Sequence, residues 1–366
     1  MFGQTPAILG PVQLDKSIAY WDRGPSVVAA KRPTIRDVAE AAGVSKSLAA
    51  LVFSTEGGVS TDRREKVLEA AKKLGYTPNQ WARSLRSGSG SFVGILLNDL
   101  HNPLLIQIAD LTRKILLEKG QQSLISAAVI TEKNGKRIVD PSSIHSLLDL
   151  RPKALVIVGG LPDLKPFKQI PDTIPVIVAS SQASSLPNAT IVRADDQEAL
   201  RLLVGHLIEL GHSKIAYVGP TDSENSIARR DAYLSSMEFF GLGDLAVTQL
   251  ADRFEDRGYA AAKLLLQGAN PPTAIVAFND NIAFGVQSAV QELVAAGRSP
   301  VAVTGFDNTF VAELGMVSLT SIEQEKEAIA MKIAEILTTP DGVEDYRGQE
   351  IKLMPRLIAR KSTFRI

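Results

Sequence analysis

The chain contains no cysteine. That excludes a disulfide scaffold, a Cys-ligated zinc site and a thiol nucleophile, and it fits a reducing compartment such as the cytosol. No run of about 18 apolar residues occurs, so no helix is expected to span a membrane. Catalytic signatures are missing as well. There is no G-x-x-x-x-G-K-[ST] phosphate loop, no G-x-G-x-x-G after an apolar run, no G-x-S-x-G elbow and no H-E-x-x-H. The histidines His101, His145, His206 and His212 are scattered; His206 and His212 flank a helix end and read as capping or packing groups. Asp195, Asp196 and Asp307 read as loop carboxylates that cap helices or bind hydroxyls. No cofactor, metal site or catalytic set is therefore expected.

What is present is ordinary in bulk and uneven in detail. Hydrophobic residues make up 45% and charged residues 22% of 366, as in a soluble protein with room for more than one core. The net charge of zero hides an asymmetry: residues 31–90 hold 11 Lys/Arg against 6 Asp/Glu, while residues 1–30 balance at 2 and 2. The rest of the chain is correspondingly acidic. A small basic segment on a large acidic body points to a polyanion met by the small segment alone. Residues 1–30 lack the basic start of a secretory signal and read as a disordered extension or a start codon assigned too early.

From Thr34 the pattern becomes helical. Thr34 with Asp37 makes a capping-box-like start, and Ile35, Val38, Ala39 and Ala42 recur at helical spacing. Gly43 supplies a turn, and Ser45 caps a second helix from Lys46 to about Phe53. A third helix starts at Thr61–Asp62, buries Val67, Ala70, Ala71 and Leu74, exposes Arg63, Arg64, Lys66, Lys72 and Lys73, and stops at Gly75. Helix, glycine turn, helix and a basic third helix form a helix-turn-helix pattern of the kind that reads DNA. Pro78 suits the first turn of a further short helix to Arg86, too short to be stable alone in water. Ser87–Ser91 alternates Ser and Gly as a linker.

Beyond Phe92 the texture is α/β. Apolar runs at Phe92–Leu97, Ser123–Ala127, Ala154–Val158, Val176–Ala179, Ile215–Val218, Ala274–Phe278 and Val301–Gly305 predict buried parallel strands, alternating with helical patterns. So long a segment is expected to form two doubly wound lobes. Polar clusters sit just past three strands: Asn98-Asp99, Asn279-Asp280 and Asp307-Asn308. That is where ligands bind in such sheets.

These segments together resemble the lactose repressor and galactose repressor family of bacterial transcription regulators, from about Pro33 to Ile366. The resemblance is carried by TIRDVAEAAGVS (34–45), VSTDRREKVLEAAKKLGYTPN (59–79), GILLNDLHNP (94–103), HLIELGHSKIAYVG (206–219), FNDNIAFG (278–285), TGFDN (304–308), LTSIEQE (319–325) and PRLIARKST (355–363). It implies a helix-turn-helix domain over 31–77, a hinge helix and linker over 78–91, and a periplasmic-binding-protein-like effector and dimerisation domain over 92–366. In that domain the N-lobe covers about 92–218 and 325–354, the C-lobe about 219–324 and 355–366, with crossovers near Gly219, Gln324 and Pro355. No leucine-heptad tail follows, so the resemblance implies a cytoplasmic, nucleoid-associated homodimer on a double-stranded operator.

The resemblance also implies roles for single residues. Thr34, Ser45, Lys46, Ser47, Ala50 and Leu51 would meet DNA through the second helix. Asn79, Ala82 and Leu85 would do so through the hinge, with Leu85 as a minor-groove wedge. Asp99, Asn102, Arg229, Phe254, Asn279, Asp280, Asp307 and Gln324 would hold the effector, with Phe254 stacking on it. Such a set suits a sugar or related polyol, although the arginine also suits a sugar acid or a purine oxygen. A solute-binding protein of a transport system would share the body but not the headpiece. A sugar-modifying enzyme would need the catalytic motifs found missing.

One departure bears on the operator. Many members carry an arginine along the second helix where this chain has Leu51, in the run Leu48–Ser54. Ala49, Val52 and Phe53 should face the core. Lys46 and Ser47 should supply polar base contacts, while Ala50 or Leu51 touches a thymine methyl or Leu51 packs in the core. In a binding-site selection, Leu51→Ala is expected to weaken the preferred half-site by about 1 kcal/mol if the contact exists. Unchanged preference and affinity would show that it does not.

Overall fold

The structure, a computed structural model, describes residues 33–53, 58–77, 92–133 and 136–365. The chain divides into two compact units, Met1–Gln80 and Trp81–Ile366. In the first, α1 (Ile35–Ala41), α2 (Lys46–Val52) and α3 (Thr61–Leu74) close on a core of Val38, Ala39, Ala49, Val52, Val67, Ala70 and Ala71. The capping box forms: the Thr34 backbone N–H donates to Asp37 Oδ2 at 2.7 Å, and the Asp37 N–H returns to Thr34 Oγ1 at 3.4 Å. Gly43 turns the chain at φ 66°, a left-handed conformation that suits glycine. Two details differ from the sequence expectation. Leu74 is 40% exposed, because the small core is already filled by shorter side chains. Arg64 is half-buried, and its guanidinium donates to Val52 O at 3.1 Å, tying α3 to the end of α2.

The second unit has two parallel sheets. The first has the strand order β13-β7-β6-β5-β1-β2, built from β1 (Phe92–Leu97), β2 (Gln122–Ala127), β5 (Ala154–Val158), β6 (Val176–Ala179), β7 (Thr190–Ala194) and β13 (Glu350–Leu353). Successive side chains of its central strands enter opposite cores, as the two-residue strand period requires. Val93, Ile95 and Leu97 face one cluster with Ile108, Ile329 and Ile333, while Phe92 and Leu96 face another with Ile144 and Phe167. The first cluster is covered by α4 (Pro103–Glu118) and α10 (Lys326–Thr338), the second by α5 (Pro141–Leu148). A hairpin of β3 (Ile130–Lys133) and β4 (Lys136–Val139) extends from this lobe.

The other lobe carries the sheet β11-β10-β8-β9: β8 (Ile215–Gly219), β9 (Val247–Leu250), β10 (Ala274–Ala277) and β11 (Ala302–Thr304). Its helices are α6 (Asp196–Glu209), α7 (Glu224–Phe239), α8 (Glu255–Gln267) and α9 (Asp280–Ala295). The first crossover corrects the expectation of one near Gly219. Ala199, Leu200, Leu203, Val204 and Leu207 of α6, and all of β8, belong to the C-lobe core. The chain therefore leaves the N-lobe between Ala194 and Asp196. It returns after β12 (Ser321–Glu323), whose successor α10 packs on the N-lobe sheet, and leaves again before β14 (Arg356–Ile358), which pairs with β12.

Helices α8 and α9 approach unusually closely. A Cβ on Gly285 would lie 1.8 Å from Glu255 O and 2.7 Å from Tyr259 N, both backbone atoms that cannot swing aside. Gly285→Ala is therefore expected to cost about 1–3 kcal/mol, or more if the helices cannot part. Thermal unfolding should read this as a midpoint several degrees lower, at about 2–4 °C per kcal/mol. An unchanged midpoint would contradict so tight a packing.

Candidate functional site

Strand ends build the cleft. Asn98 and Asp99 follow β1, Gly159 and Gly160 follow β5, and Ser180 follows β6; across from them Phe278 and Asn279 follow β10, and Asp307 follows β11. With Asn102, Leu104, Leu105, Asn225, Arg229, Arg253 and Gln324 they line one cavity of about 40 Å³. That is the space of about one water molecule, far below the several hundred Å³ of a usual ligand pocket. Hydrogen bonds between the lobes, from Asn102 to Asp307, Ser180 to Gln324 and Asn281 to His101 O, span this narrow cleft, which has no room for a sugar-sized ligand in this arrangement.

Asp307 stands at the junction. It is 3% exposed. Asn102 Nδ2, from the N-lobe, donates to Asp307 Oδ2 at 2.8 Å, and Gln324 Nε2, at a crossover, donates to Oδ1 at 2.6 Å. Gln324 in turn accepts from Ser180 Oγ of the N-lobe at 2.7 Å. The Asp307 backbone sits at φ 128°, a conformation that costs a non-glycine residue about 1–3 kcal/mol. Neighbouring bonds hold it there: Ser321 Oγ accepts from the Asn308 N–H at 3.0 Å, and Asn308 Nδ2 donates to Glu323 at 2.9 Å. Burial, then the charge of Asp280, push the Asp307 carboxyl up to about 7 against the opposing pull of Arg229.

Arg229 is held as firmly. Its Nε donates to Asp196 Oδ1 at 3.1 Å and its Nη1 to Phe278 O at 2.7 Å. The guanidinium carbon lies 4.6 Å from the Phe278 ring centroid and 3.6 Å from that of Phe306, between two π faces. Asp196 also accepts from Arg193 at 3.1 Å, and Arg193 bonds Glu350 at 2.6 Å, so a buried ion-pair chain runs from the N-lobe edge to Arg229.

Six expected effector residues thus share one cavity: Asp99, Asn102, Arg229, Asn279, Asp307 and Gln324. Two do not join them. Asp280 is fully buried and turned into the C-lobe, accepting from the Thr309 N–H at 2.7 Å and Ser321 Oγ at 2.6 Å. As the first residue of α9 it is directed away from the cleft, while its predecessor Asn279 caps the helix. Phe254 does not line the cavity either; its ring meets His101 edge-on at 5.9 Å, one lobe against the other at the mouth. Asn98, from the polar cluster expected just past β1, joins the six in the wall, together with Ser180, Asn225 and Arg253, which no sequence motif singled out. Arg253 had a weak signal, since it follows β9, but that edge strand is largely exposed and leaves no apolar run.

His206 and His212 are packing groups. His206 Nε2 lies 3.0 Å from Thr363 Oγ1, and His212 Nε2 donates to Phe364 O at 3.0 Å. Burial lowers the pKa of both.

In the other unit, Lys46, Ser47 and Leu51 lie exposed along α2, with Ala50 half-buried and Ala49 and Val52 in the core. Ser45 Oγ accepts from the Leu48 N–H at 3.2 Å, and Thr34 is exposed at the start of α1. Leu51 is thus on the surface rather than in the core, at 38% exposure. Asn79, Ala82 and Leu85 lie outside the described residues.

Two family models match this chain: "Bacterial regulatory proteins, lacI family" over residues 34–79, and "Periplasmic binding protein-like domain" over residues 204–363. The chain is 32% identical over 346 residues to the maltose regulon regulatory protein MalI of Escherichia coli (strain K12), covering 91% of this chain and 99% of that one. It is 29% identical over 348 residues to the transcriptional repressor PurR of Haemophilus influenzae, covering 90% and 98%. The fold is also that of the lac repressor dimer bound to operator and the anti-inducer ONPF, with a TM-score of 0.76 at 24% identity over 91% of this chain and 100% of that one. A regulator CelR–cellobiose complex has a TM-score of 0.63 at 23% identity, covering 91% and 100%. These relatives are regulators rather than enzymes. The chain belongs to the lacI family of bacterial regulatory proteins, DNA-binding regulators of transcription that couple a helix-turn-helix headpiece to a ligand-binding domain.

Proposed function

We propose that the chain is a repressor that binds a pseudo-palindromic operator as a homodimer. A small polyhydroxylated ligand, a sugar or related polyol, enters the cleft and controls it. It acts in the cytoplasm, on nucleoid DNA. The observation that carries the ligand reading is the Asn102–Asp307–Gln324 junction, which joins both lobes through side chains that can also bond adjacent hydroxyls. A ligand that replaces those bonds changes the lobe angle, and a lobe angle is a two-state element of the sort that carries coupling. The cellobiose complex of CelR supports a sugar as the class.

On the DNA side, Lys46 and Ser47 make polar base contacts, Ala50 or Leu51 touches a thymine methyl, and Thr34 and Ser45 also meet DNA. Asn79, Ala82 and Leu85 act as hinge contacts in the minor groove.

Gel-shift of genomic fragments tests the first half. A sequence-specific shift is expected, weakening about 10³-fold or more between low and moderate salt, because phosphate contacts dominate affinity. Absence of any specific shift, with and without candidate sugars, contradicts it.

Asp307→Asn tests the junction. A buried carboxyl whose folded pKa is raised holds its proton more tightly in the folded state, so its contribution is fully present below the ordinary carboxylate pKa. That contribution is lost as pH rises from the ordinary carboxylate value of 3.8 towards about 7. The amide does not titrate. The stability of Asp307→Asn relative to wild type should therefore rise across that window and level off above it. A pH-independent difference in thermal midpoint would mean Asp307 is not held in this environment.

A further inference from the structure

Two arginines line the cavity, Arg229 and Arg253. Arg253 is 8% exposed, and its guanidinium carbon lies 5.3 Å from the centroid of the Phe278 ring that also carries Arg229. Burial works against its charge, and Asp222 offsets that cost. A second buried guanidinium beside the first is expensive unless something uses it.

The donors are unevenly committed. Arg253 Nη2 is bonded to Asp222 and to Ser223 Oγ, the latter at 3.1 Å. Arg229 uses Nε and Nη1, as described above. Among the described residues, Nη2 of Arg229 and both Nε and Nη1 of Arg253 take no protein acceptor, which leaves a surplus of N–H groups on the Phe278 side of the cleft. The opposite side shows the reverse. Asn98 Oδ1 is a buried acceptor with no partner, and Asp99 lines the wall beside it.

The carboxylates near the arginines are already shared. Asp196 serves Arg193 and Arg229; Asp222 serves Arg253 and also Arg137, which reaches it from the β3–β4 hairpin at 3.1 Å. Neutral hydroxyls both donate and accept, so they suit the Asn98–Asp99 side. A donor-rich site under two guanidiniums suits an acceptor-only group instead.

We infer that the ligand carries one anionic group, a carboxylate or a phosphate ester, seated between Arg229 and Arg253 on the Phe278 side, with its hydroxyls towards Asn98, Asp99 and Asp307. This rests on the cleft being the effector site. It narrows the ligand from a sugar in general to a sugar acid or sugar phosphate.

Titration calorimetry of the full chain against glucose, gluconate and glucose phosphate, and against ribose, ribonate and ribose phosphate, tests it. At least one acid or ester should bind about tenfold or more tightly than its neutral parent, the gain of one charge-assisted hydrogen-bond pair. Comparing acid with ester tells carboxylate from phosphate. Arg253→Gln should erase the preference and Arg253→Lys should keep part of it. Asp222→Asn, which removes the counter-charge and leaves the arginine, should keep or strengthen it; a purely structural Arg253–Asp222 pair would instead lose binding in both Arg253→Gln and Asp222→Asn. The inference is overturned if neutral parents bind as tightly as the anions, if Arg253→Gln retains the preference, or if no acid or ester binds. A neutral sugar that binds and shifts operator affinity would leave the effector reading standing while this inference falls. Binding of no compound, with no effect on operator affinity, would sink both.

Discussion

A single buried carboxylate joins the halves of the effector unit. Asp307 takes hydrogen bonds from Asn102 of one lobe and Gln324 of a crossover, and Gln324 is itself bonded to Ser180 of the first lobe. A carboxyl group in so dry a place is costly unless its oxygens are hydrogen-bonded. The proposed function requires a second arrangement beside this one, with the lobes parted and a ligand's groups satisfying Asp307. Elements packed at crystal-like density switch between such arrangements rather than deforming gradually. The cavity of about 40 Å³ at this junction belongs to the closed arrangement.

Around that junction the lobes also meet through charge. Arg137 on the β3–β4 hairpin reaches Asp222 and Asp252 of the other lobe, and Asn281 Nδ2 donates to His101 O across the mouth at 3.3 Å. The hairpin pairs are part-exposed, so each is worth little alone and is screened by salt. Their effect is orientation: within the C-lobe Asp222 holds Arg253 and Asp196 holds Arg229, and each of these carboxylates also bonds an N-lobe arginine, Arg137 or Arg193.

Much of this was legible in the sequence because buried parallel strands announce themselves as apolar runs. Phe92–Leu97 and Ala154–Val158 are fully buried over the ranges expected. Three strands of the parallel sheets left no such run: β9 and β13 have no buried position, and buried β7 is interrupted by the polar Thr190 and Arg193. The first crossover was misplaced for a related reason. Helix α6 and β8 continue the strand–helix alternation without a break, and only their packing partners reveal the change of lobe. In the cleft, residues just past strands were found, since topology alone puts them there. Which of two neighbours faces inward depends on helix phase. Asn279 therefore lines the cavity while its neighbour Asp280 turns into the C-lobe, and Arg253 rather than Phe254 reaches the cavity wall.

In the proposed function, one cleft and one headpiece share a single equilibrium. Linkage makes this testable without knowing the structure of either liganded state. Operator affinity should be measured with and without the bound ligand, and ligand affinity with and without saturating operator, in one buffer. The two ratios should agree and lie in the range of about 5–150-fold. A ligand that binds the cleft tightly while both ratios stay at one would contradict it.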